Sequence, residues 1–313
     1  MSSSLFLSPL FFLAIGSAIL FVGSEWLISA AKVIARKLRF SDFVIGLTVV
    51  AIGTSFPELV VGIISALGGY SEFVMGNVLG SNIANIGLAL GLPVLFYSIK
   101  FQVGDIRDVI VYNILACVYL YFISLDNMIS TGDSLGLLLI FSVFMFGRIF
   151  RASIDVEPSN DTQVSGNIFP SLVRLLAGGM CLYWGSELFI NNGAVPLVKY
   201  FGFSERAIGM TVVAIGTSLP EVFVTMVALS KKEVGISLGN IIGSNILNIV
   251  FVLGIVALIN PIEFISDINF ELFYGLILVF LLLPLSLFFG GLNRSSGIFL
   301  LLLYTIFLYL QFS

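Results

Sequence analysis

Apolar positions along the chain fall into long stretches, broken at charged or Gly/Pro-rich turns. The breaks predict spans near 8–35, 42–67, 73–98, 106–124 and 134–150, then near 170–198, 206–229, 234–259, 270–290 and 296–312. Residues 40–99 and 233–293 contain no Lys or Arg at all. The stretch at 2–21 has no basic region ahead of it and runs on apolar to Ala31. It therefore reads as a retained first span rather than a cleaved leader. A polar segment at 151–169 separates residues 1–150 from residues 170–313, with five spans on either side.

The two parts are related. Residues 46–58 read G-L-T-V-V-A-I-G-T-S-F-P-E, and 163 residues later 209–221 read G-M-T-V-V-A-I-G-T-S-L-P-E. Residues 76–86, G-N-V-L-G-S-N-I-A-N-I, recur at the same offset as G-N-I-I-G-S-N-I-L-N-I. Gly23-Ser24-Glu25 recurs as Gly185-Ser186-Glu187, one residue out of step. Five spans per copy is an odd number, so the second copy starts on the opposite side of the membrane and the repeats are inverted. Twelve of the fourteen Lys and Arg residues fall on alternate loops or their flanks, with only Lys199 and Arg206 on the other side. The excess of positive charge marks the cytoplasmic loops, so both termini are expected outside and the linker inside. The predicted fold is an all-α integral membrane protein of ten transmembrane helices in two inverted five-helix repeats. Secondary transporters repeatedly use such inverted halves, with a binding site near the midplane.

Composition agrees. Of 313 residues 58% are hydrophobic and 10% charged, with a mean hydropathy of +1.11, which excludes a pair of soluble domains. Histidine is absent, which removes the commonest general base and transition-metal ligand. Cys117 and Cys181 lie in apolar runs without metal-ligand spacing. A net charge of -4 without a basic cluster argues against nucleic acid. No phosphate-binding loop of the G-x-x-x-x-G-K-S/T type occurs, and the linker is too short to fold alone. Secondary transport is expected rather than catalysis or ATP hydrolysis, with no cofactor, membrane lipid as the surrounding partner and no obligate protein partner.

The chemistry concentrates in the repeated polar motifs. Glu58 and Glu221 each lie deep in a span whose core offers no Lys or Arg. A buried carboxylate needs a counter-charge or a proton, because its desolvation is otherwise prohibitive. Pro57 and Pro220 precede the glutamates and withhold the helical hydrogen bond from the carbonyls of Gly53 and Gly216. Thr54 and Ser55, like Thr217 and Ser218, stand four and three residues before the glutamate, a spacing that predicts a shared helix face. Ser81 and Asn85, and Ser244 and Asn248, add neutral oxygens at i and i+4. An all-oxygen set of this kind suits hard cations, Ca²⁺ typically taking about six to eight oxygens. Gly76 and Gly80, with Gly239 and Gly243, make G-x-x-x-G pairs that permit close helix approach. Asn77, Asn82, Asn240 and Asn245 serve either as braces of the backbone or as ion ligands. Glu25 and Glu187 lack hydroxyl and proline neighbours and are expected to brace the partner half.

These residues resemble the sodium/calcium exchanger family of the calcium/cation antiporter superfamily, whose two alpha repeats carry G-T-S-x-P-E followed by G-S-N-I-x-N or G-S-N-I-x-D. Both occur here, in order, in both halves. The resemblance implies that Glu58 and Glu221 are central Ca²⁺ ligands and also help form Na⁺ sites. Thr54, Ser55, Ser81, Thr217, Ser218 and Ser244 would add oxygens, together with carbonyls of Ala51 and Ala214, and Asn85 would complete the site. Many family members carry aspartate where this chain has Asn248. The amide lowers the formal charge of the site to -2, which balances one Ca²⁺ or two Na⁺. The resemblance further implies a multi-pass protein of the plasma or inner membrane that uses the Na⁺ gradient to extrude Ca²⁺ by alternating access, with the long first and sixth spans as the moving elements. A proton-coupled cation exchanger of the same superfamily is the rival reading, and a passive channel, a membrane enzyme and a non-transporting scaffold fit the residues less well.

Overall fold

A computed structural model describes residues 4–38, 40–101, 103–154, 167–194, 196, 214–264 and 268–312. The first half comprises α1 (Ser4–Leu38), α2 (Asp42–Thr54), α3 (Phe56–Leu67), α4 (Phe73–Val94), α5 (Val103–Ile123) and α6 (Thr131–Ile154). The second comprises α7 (Ile168–Ala194), α8 (Ala214–Thr217), α9 (Leu219–Ser230), α10 (Val234–Ile259), α11 (Asn269–Phe289) and α12 (Arg294–Phe312). Among the described residues eight helices are long and apolar enough to cross a membrane, or nine if α2 and α3, which meet at a 40° bend, count as one broken span. Predicted span 206–229 is described from residue 214 onward, where α8 and the 12-residue α9 lie. Its first part, Lys199, Arg206 and linker residues 155–166 fall outside the described residues.

Local chemistry places the breaks. Ser41 caps α2 by accepting the Val44 amide at 3.2 Å. Pro57 then falls in the first turn of α3, where a missing amide costs nothing, and Ser55 sits at the joint with φ -81° and ψ 6°. The second copy repeats the device, with Pro220 in the first turn of α9 and Ser218 at φ -85° and ψ 0°. The 35 residues of α1 rise about 52 Å at 1.5 Å each, more than the ~30 Å of bilayer hydrocarbon, so this helix tilts or extends beyond it.

The sequence pattern predicted no strands, yet two antiparallel ladders join the halves: β1 (Ile99–Lys100) with β4 (Gly291–Leu292), and β2 (Met128–Ile129) with β3 (Ile262–Glu263). Helix α5 runs from the first ladder to the second, whereas α11, which follows β3 and precedes β4, runs the other way. The left-handed residues Gly69 (φ 79°) and Asn127 (φ 60°) recur 163 positions on as Lys232 (φ 63°) and Gly290 (φ 63°). Gly290 ends α11 in the left-handed cap that favours glycine.

Helices α4 and α10 are innermost, with 83% of their most apolar stretch buried against 17–39% in the other unbroken spans. Helix α10 lies directly on α2. A Cβ at Gly239 would sit 2.4 Å from the Phe43 carbonyl oxygen, and one at Gly243 2.6 Å from that of Leu47. The G-x-x-x-G pair of the second copy thus sets backbone contact as expected. For Gly76 and Gly80, the matching segment 209–213 lies outside the described residues. Helices α1 and α7 also meet backbone to backbone, a Cβ at Gly23 falling 2.9 Å from the Gly178 oxygen and one at Gly178 the same distance from that of Gly23.

Apolar residues of α1 and α7, among them Leu20, Leu27, Ile28 and Leu182, form a smaller cluster with Ile45, Val50, Val224 and Ile236, distinct from the main core. Two ion pairs, Lys32 with Glu233 and Lys231 with Glu25, tie α1 to the turn between α9 and α10. Glu25 thereby braces the other half, as anticipated. Glu187 does not. It accepts a local hydrogen bond from Asn191 Nδ2 at 2.6 Å, where α7 widens to i→i+5 turns over Leu188–Ala194.

Candidate functional site

The two helix breaks bring Glu58 and Glu221 into the first turns of α3 and α9. Helix N-termini favour negative charge, which offsets part of the cost of placing carboxylates there. Neither glutamate has any solvent-exposed surface, and none of their four carboxylate oxygens accepts a hydrogen bond. Among the described residues neither takes part in an ion pair. The Glu58 carboxylate lies within electrostatic range of that of Glu221.

Each carboxylate is flanked by two hydroxyls. Ser81 and Thr217 face Glu58, while Thr54 and Ser244 face Glu221. This corrects the expectation that Thr54 shares a face with Glu58 and Thr217 with Glu221. The i−4 argument assumes an unbroken helix, and the break at Ser55 or Ser218 sends each threonine across to the other half's glutamate. The hydroxyl pairs also bond internally, Ser81 Oγ to Thr217 Oγ1 at 3.1 Å and Thr54 Oγ1 to Ser244 Oγ at 3.2 Å. Ser55 and Ser218, at the breaks, keep buried hydroxyls without a hydrogen-bond partner.

Asn85 and Asn248 each begin a stretch of i→i+5 turns, Asn85–Leu90 in α4 and Asn248–Val252 in α10. Such widened turns recur at functional positions because they redirect side chains and loosen the regular backbone ladder. Both side chains are fully buried; Asn85 has no hydrogen-bond partner at either amide atom, and Asn248 none at Oδ1. The Ala51 carbonyl accepts the Ser55 amide at 2.9 Å and lies 3.3 Å from the Thr54 hydroxyl. Ala214 is the first residue of α8.

Two of the asparagines left open by the sequence accept hydrogen bonds from the site threonines. Thr54 Oγ1 donates to Asn240 Oδ1 at 3.0 Å, and Thr217 Oγ1 donates to Asn77 Oδ1 at 3.3 Å. These contacts join residues of different halves, and only the equivalence of positions 77 and 240 pointed to them.

Among the described residues no group of three or more His, Cys, Asp and Glu side chains is placed to hold a metal ion. The carboxylate pair therefore carries the formal charge of the site. Oxygen is the donor type that hard cations take, and the buried side chains named here, two carboxylates with hydroxyls and amides, offer it.

The family model described as "Sodium/calcium exchanger protein" matches residues 8–150 and 170–313. An uncharacterized membrane protein of Methanocaldococcus jannaschii is 35% identical over 93% of this chain and 94% of its own length. The sodium/calcium exchanger MaX1 of Methanosarcina acetivorans is 31% identical over 96% of this chain and 97% of its own. A solved structure of the sodium-calcium exchanger NCX_Mj superposes with a TM-score of 0.80 at 31% identity, covering 96% of this chain and 97% of that one.

Proposed function

The chain belongs to the sodium/calcium exchanger family, and we propose that it works as a secondary antiporter in which Na⁺ and Ca²⁺ compete for one site between Glu58 and Glu221. The observation that carries this reading is the pair of fully buried carboxylates whose oxygens accept no hydrogen bond. In a membrane interior such a pair is tolerable only when a cation or proton neutralises it.

Thr54, Ser55, Ser81, Asn85, Thr217, Ser218, Ser244 and Asn248 supply neutral oxygens, and the carbonyls of Ala51 and Ala214 stand at the helix breaks beside them. Two Na⁺ or one Ca²⁺ satisfy the same -2 charge, so either load displaces the other. A carboxylate pair shared by both ions makes exchange a consequence of competition, with the Na⁺ gradient drawing Ca²⁺ out of the cell.

The architecture we infer is ten spans in two inverted five-helix halves, residues 1–150 and 170–313, joined by a cytoplasmic linker at 151–169, with both termini outside. The opposite directions of α5 and α11 between the two ladders support this, as do the left-handed residues at matching positions. In alternating access α1 and α7 slide as a unit over the ligand-bearing helices. Their glycine-lined contact with each other supports treating them as one body, and the small apolar cluster they share with α2, α9 and α10 is the surface over which it would slide.

Reconstitution tests the proposal. Proteoliposomes loaded with Na⁺ should take up ⁴⁵Ca²⁺ when the Na⁺ gradient points outward. Uptake indifferent to Na⁺ and driven by a proton gradient would transfer the chain to the proton-coupled branch of the superfamily.

A further inference from the structure

The asparagines of the two G-S-N-I motifs, Asn82 and Asn245, join the halves through a reciprocal bridge. Asn82 Nδ2 donates to the Asn245 carbonyl at 3.0 Å, and Asn245 Nδ2 donates to the Asn82 carbonyl at 3.1 Å. Sequence repetition leads one to expect the remaining amide oxygens to be used alike, and they are not. Asn82 Oδ1 accepts from Asn248 Nδ2 at 3.1 Å. Asn245 Oδ1 has no hydrogen-bond partner, and neither has either amide atom of Asn85.

We propose that Asn82 is a positioning residue that fixes which end of the Asn248 amide a cation meets. An amide presents an oxygen on one side of Cγ and an NH₂ on the other, and only the oxygen ligates a cation. Asn82 Nδ2 is committed to the Asn245 carbonyl, so turning the Asn82 amide over would leave that buried carbonyl without its donor. Its Oδ1 is therefore a fixed acceptor, and Asn248 turns its NH₂ toward it. Asn248 Oδ1, fully buried and without another partner, is left for the ion. An oxygen held in place before binding costs less ordering when the ion arrives.

The two halves are thus inequivalent despite nearly identical motifs. Asn248 is a preset oxygen ligand, whereas the Asn85 amide is oriented by no hydrogen bond of its own. This inference rests on the shared cation site proposed above.

The test is a coupling measurement in proteoliposomes containing the full chain, with the Ca²⁺ KM and the maximal rate of Na⁺-driven ⁴⁵Ca²⁺ uptake read separately. Asn82→Ala should raise the Ca²⁺ KM about fivefold, the worth of one neutral hydrogen bond, while the maximal rate changes little. Asn245→Ala breaks the same bridge from the other side without touching Asn248, and should leave the KM within about twofold. In an Asn248→Ala background, Asn82→Ala should add less than about twofold, because the residue through which it acts is gone.

Equal KM effects of Asn82→Ala and Asn245→Ala, or fully multiplicative effects of Asn82→Ala and Asn248→Ala, would overturn the proposal. If Asn82→Ala does not purify as a folded protein, Asn82→Ser replaces it, since its hydroxyl stops one bond short of the Oδ1 position. Should the native protein show no Na⁺-driven uptake, the exchanger reading fails instead. The same cycle read by equilibrium ⁴⁵Ca²⁺ binding to the purified protein then decides the role of Asn82.

Discussion

Replacing Glu58 by glutamine separates a cation site from a scaffold, because it predicts two effects of opposite sign. The side chain is completely buried, its oxygens accept no hydrogen bond, and the charge it senses most is that of Glu221. The amide is nearly isosteric, so packing is preserved while half of the site's formal charge disappears. Removing one partner of a buried ion pair costs about 3–5 kcal/mol, the larger part of it the uncompensated charge left behind. At about 1.4 kcal/mol per tenfold, Ca²⁺ affinity should fall by roughly two to three and a half orders of magnitude. Without cations the sign reverses, since Glu58→Gln removes a buried charge and its repulsion with Glu221, and the cation-free variant should melt higher than the native protein. Native protein at a hundredfold excess of Ca²⁺ over Kd should gain about 2.7 kcal/mol, a gain the variant should lack. Calorimetric titration and thermal unfolding in detergent, with Ca²⁺ or with chelator, read both effects. A variant that binds Ca²⁺ within threefold of native, or whose cation-free form melts lower, would refute the reasoning.

Further outcomes follow from the same geometry. Gly239→Ala places a methyl 2.4 Å from the Phe43 oxygen and should destabilise by about 1–3 kcal/mol, whereas Gly179→Ala, with no described atom within 4 Å of its added carbon, should be neutral or stabilising; thermal melts compare them. Lys232→Gly should raise stability by about 1 kcal/mol, because Lys232 is left-handed at φ 63° where the matching residue, Gly69, is glycine. Lys231→Met removes a pair whose side chains are 35% and 32% exposed, so it should cost less than about 1 kcal/mol and less still in high salt. In a Cys117→Ala/Cys181→Ala background, an impermeant maleimide should label cysteines placed at Lys100 and Arg294 from one side of the membrane and one at Asp126 from the other; a common side would contradict the inverted arrangement.

Much of this molecule was legible in its sequence. The hydropathy breaks place the described ends of the spans within four residues, since each coincides with a turn that hydrocarbon would not tolerate, but they do not show the interruptions at Ser55 and Ser218 inside two spans. Every site side chain named from the motifs whose burial is described is buried, because ionisable and hydroxyl groups in apolar spans have few other reasons to be there. The crossing of Thr54 to Glu221 and of Thr217 to Glu58 was not legible. Helical spacing orders residues only while the helix continues, and proline breaks it between threonine and glutamate. Nor were the ladders, since two-residue strands carry no periodicity. The different environments of Asn85 and Asn248 were beyond reach for a plainer reason: the two motif copies are almost the same, and the difference arises only where they meet.

With Asn248 neutral, charge balance predicts that one Ca²⁺ exchanges for two Na⁺ without net charge movement. Currents from reconstituted protein check this, a steady current at zero applied voltage being the adverse result. The central claim, that Glu58 and Glu221 form one site for which Na⁺ and Ca²⁺ compete, is tested most directly by equilibrium ⁴⁵Ca²⁺ binding to purified protein at increasing Na⁺. The account predicts that Na⁺ raises the apparent Kd for Ca²⁺ and leaves the number of sites unchanged, and that Glu221→Gln abolishes binding in the same concentration range. Ca²⁺ binding unaffected by Na⁺, or retained in full by Glu221→Gln, would contradict it.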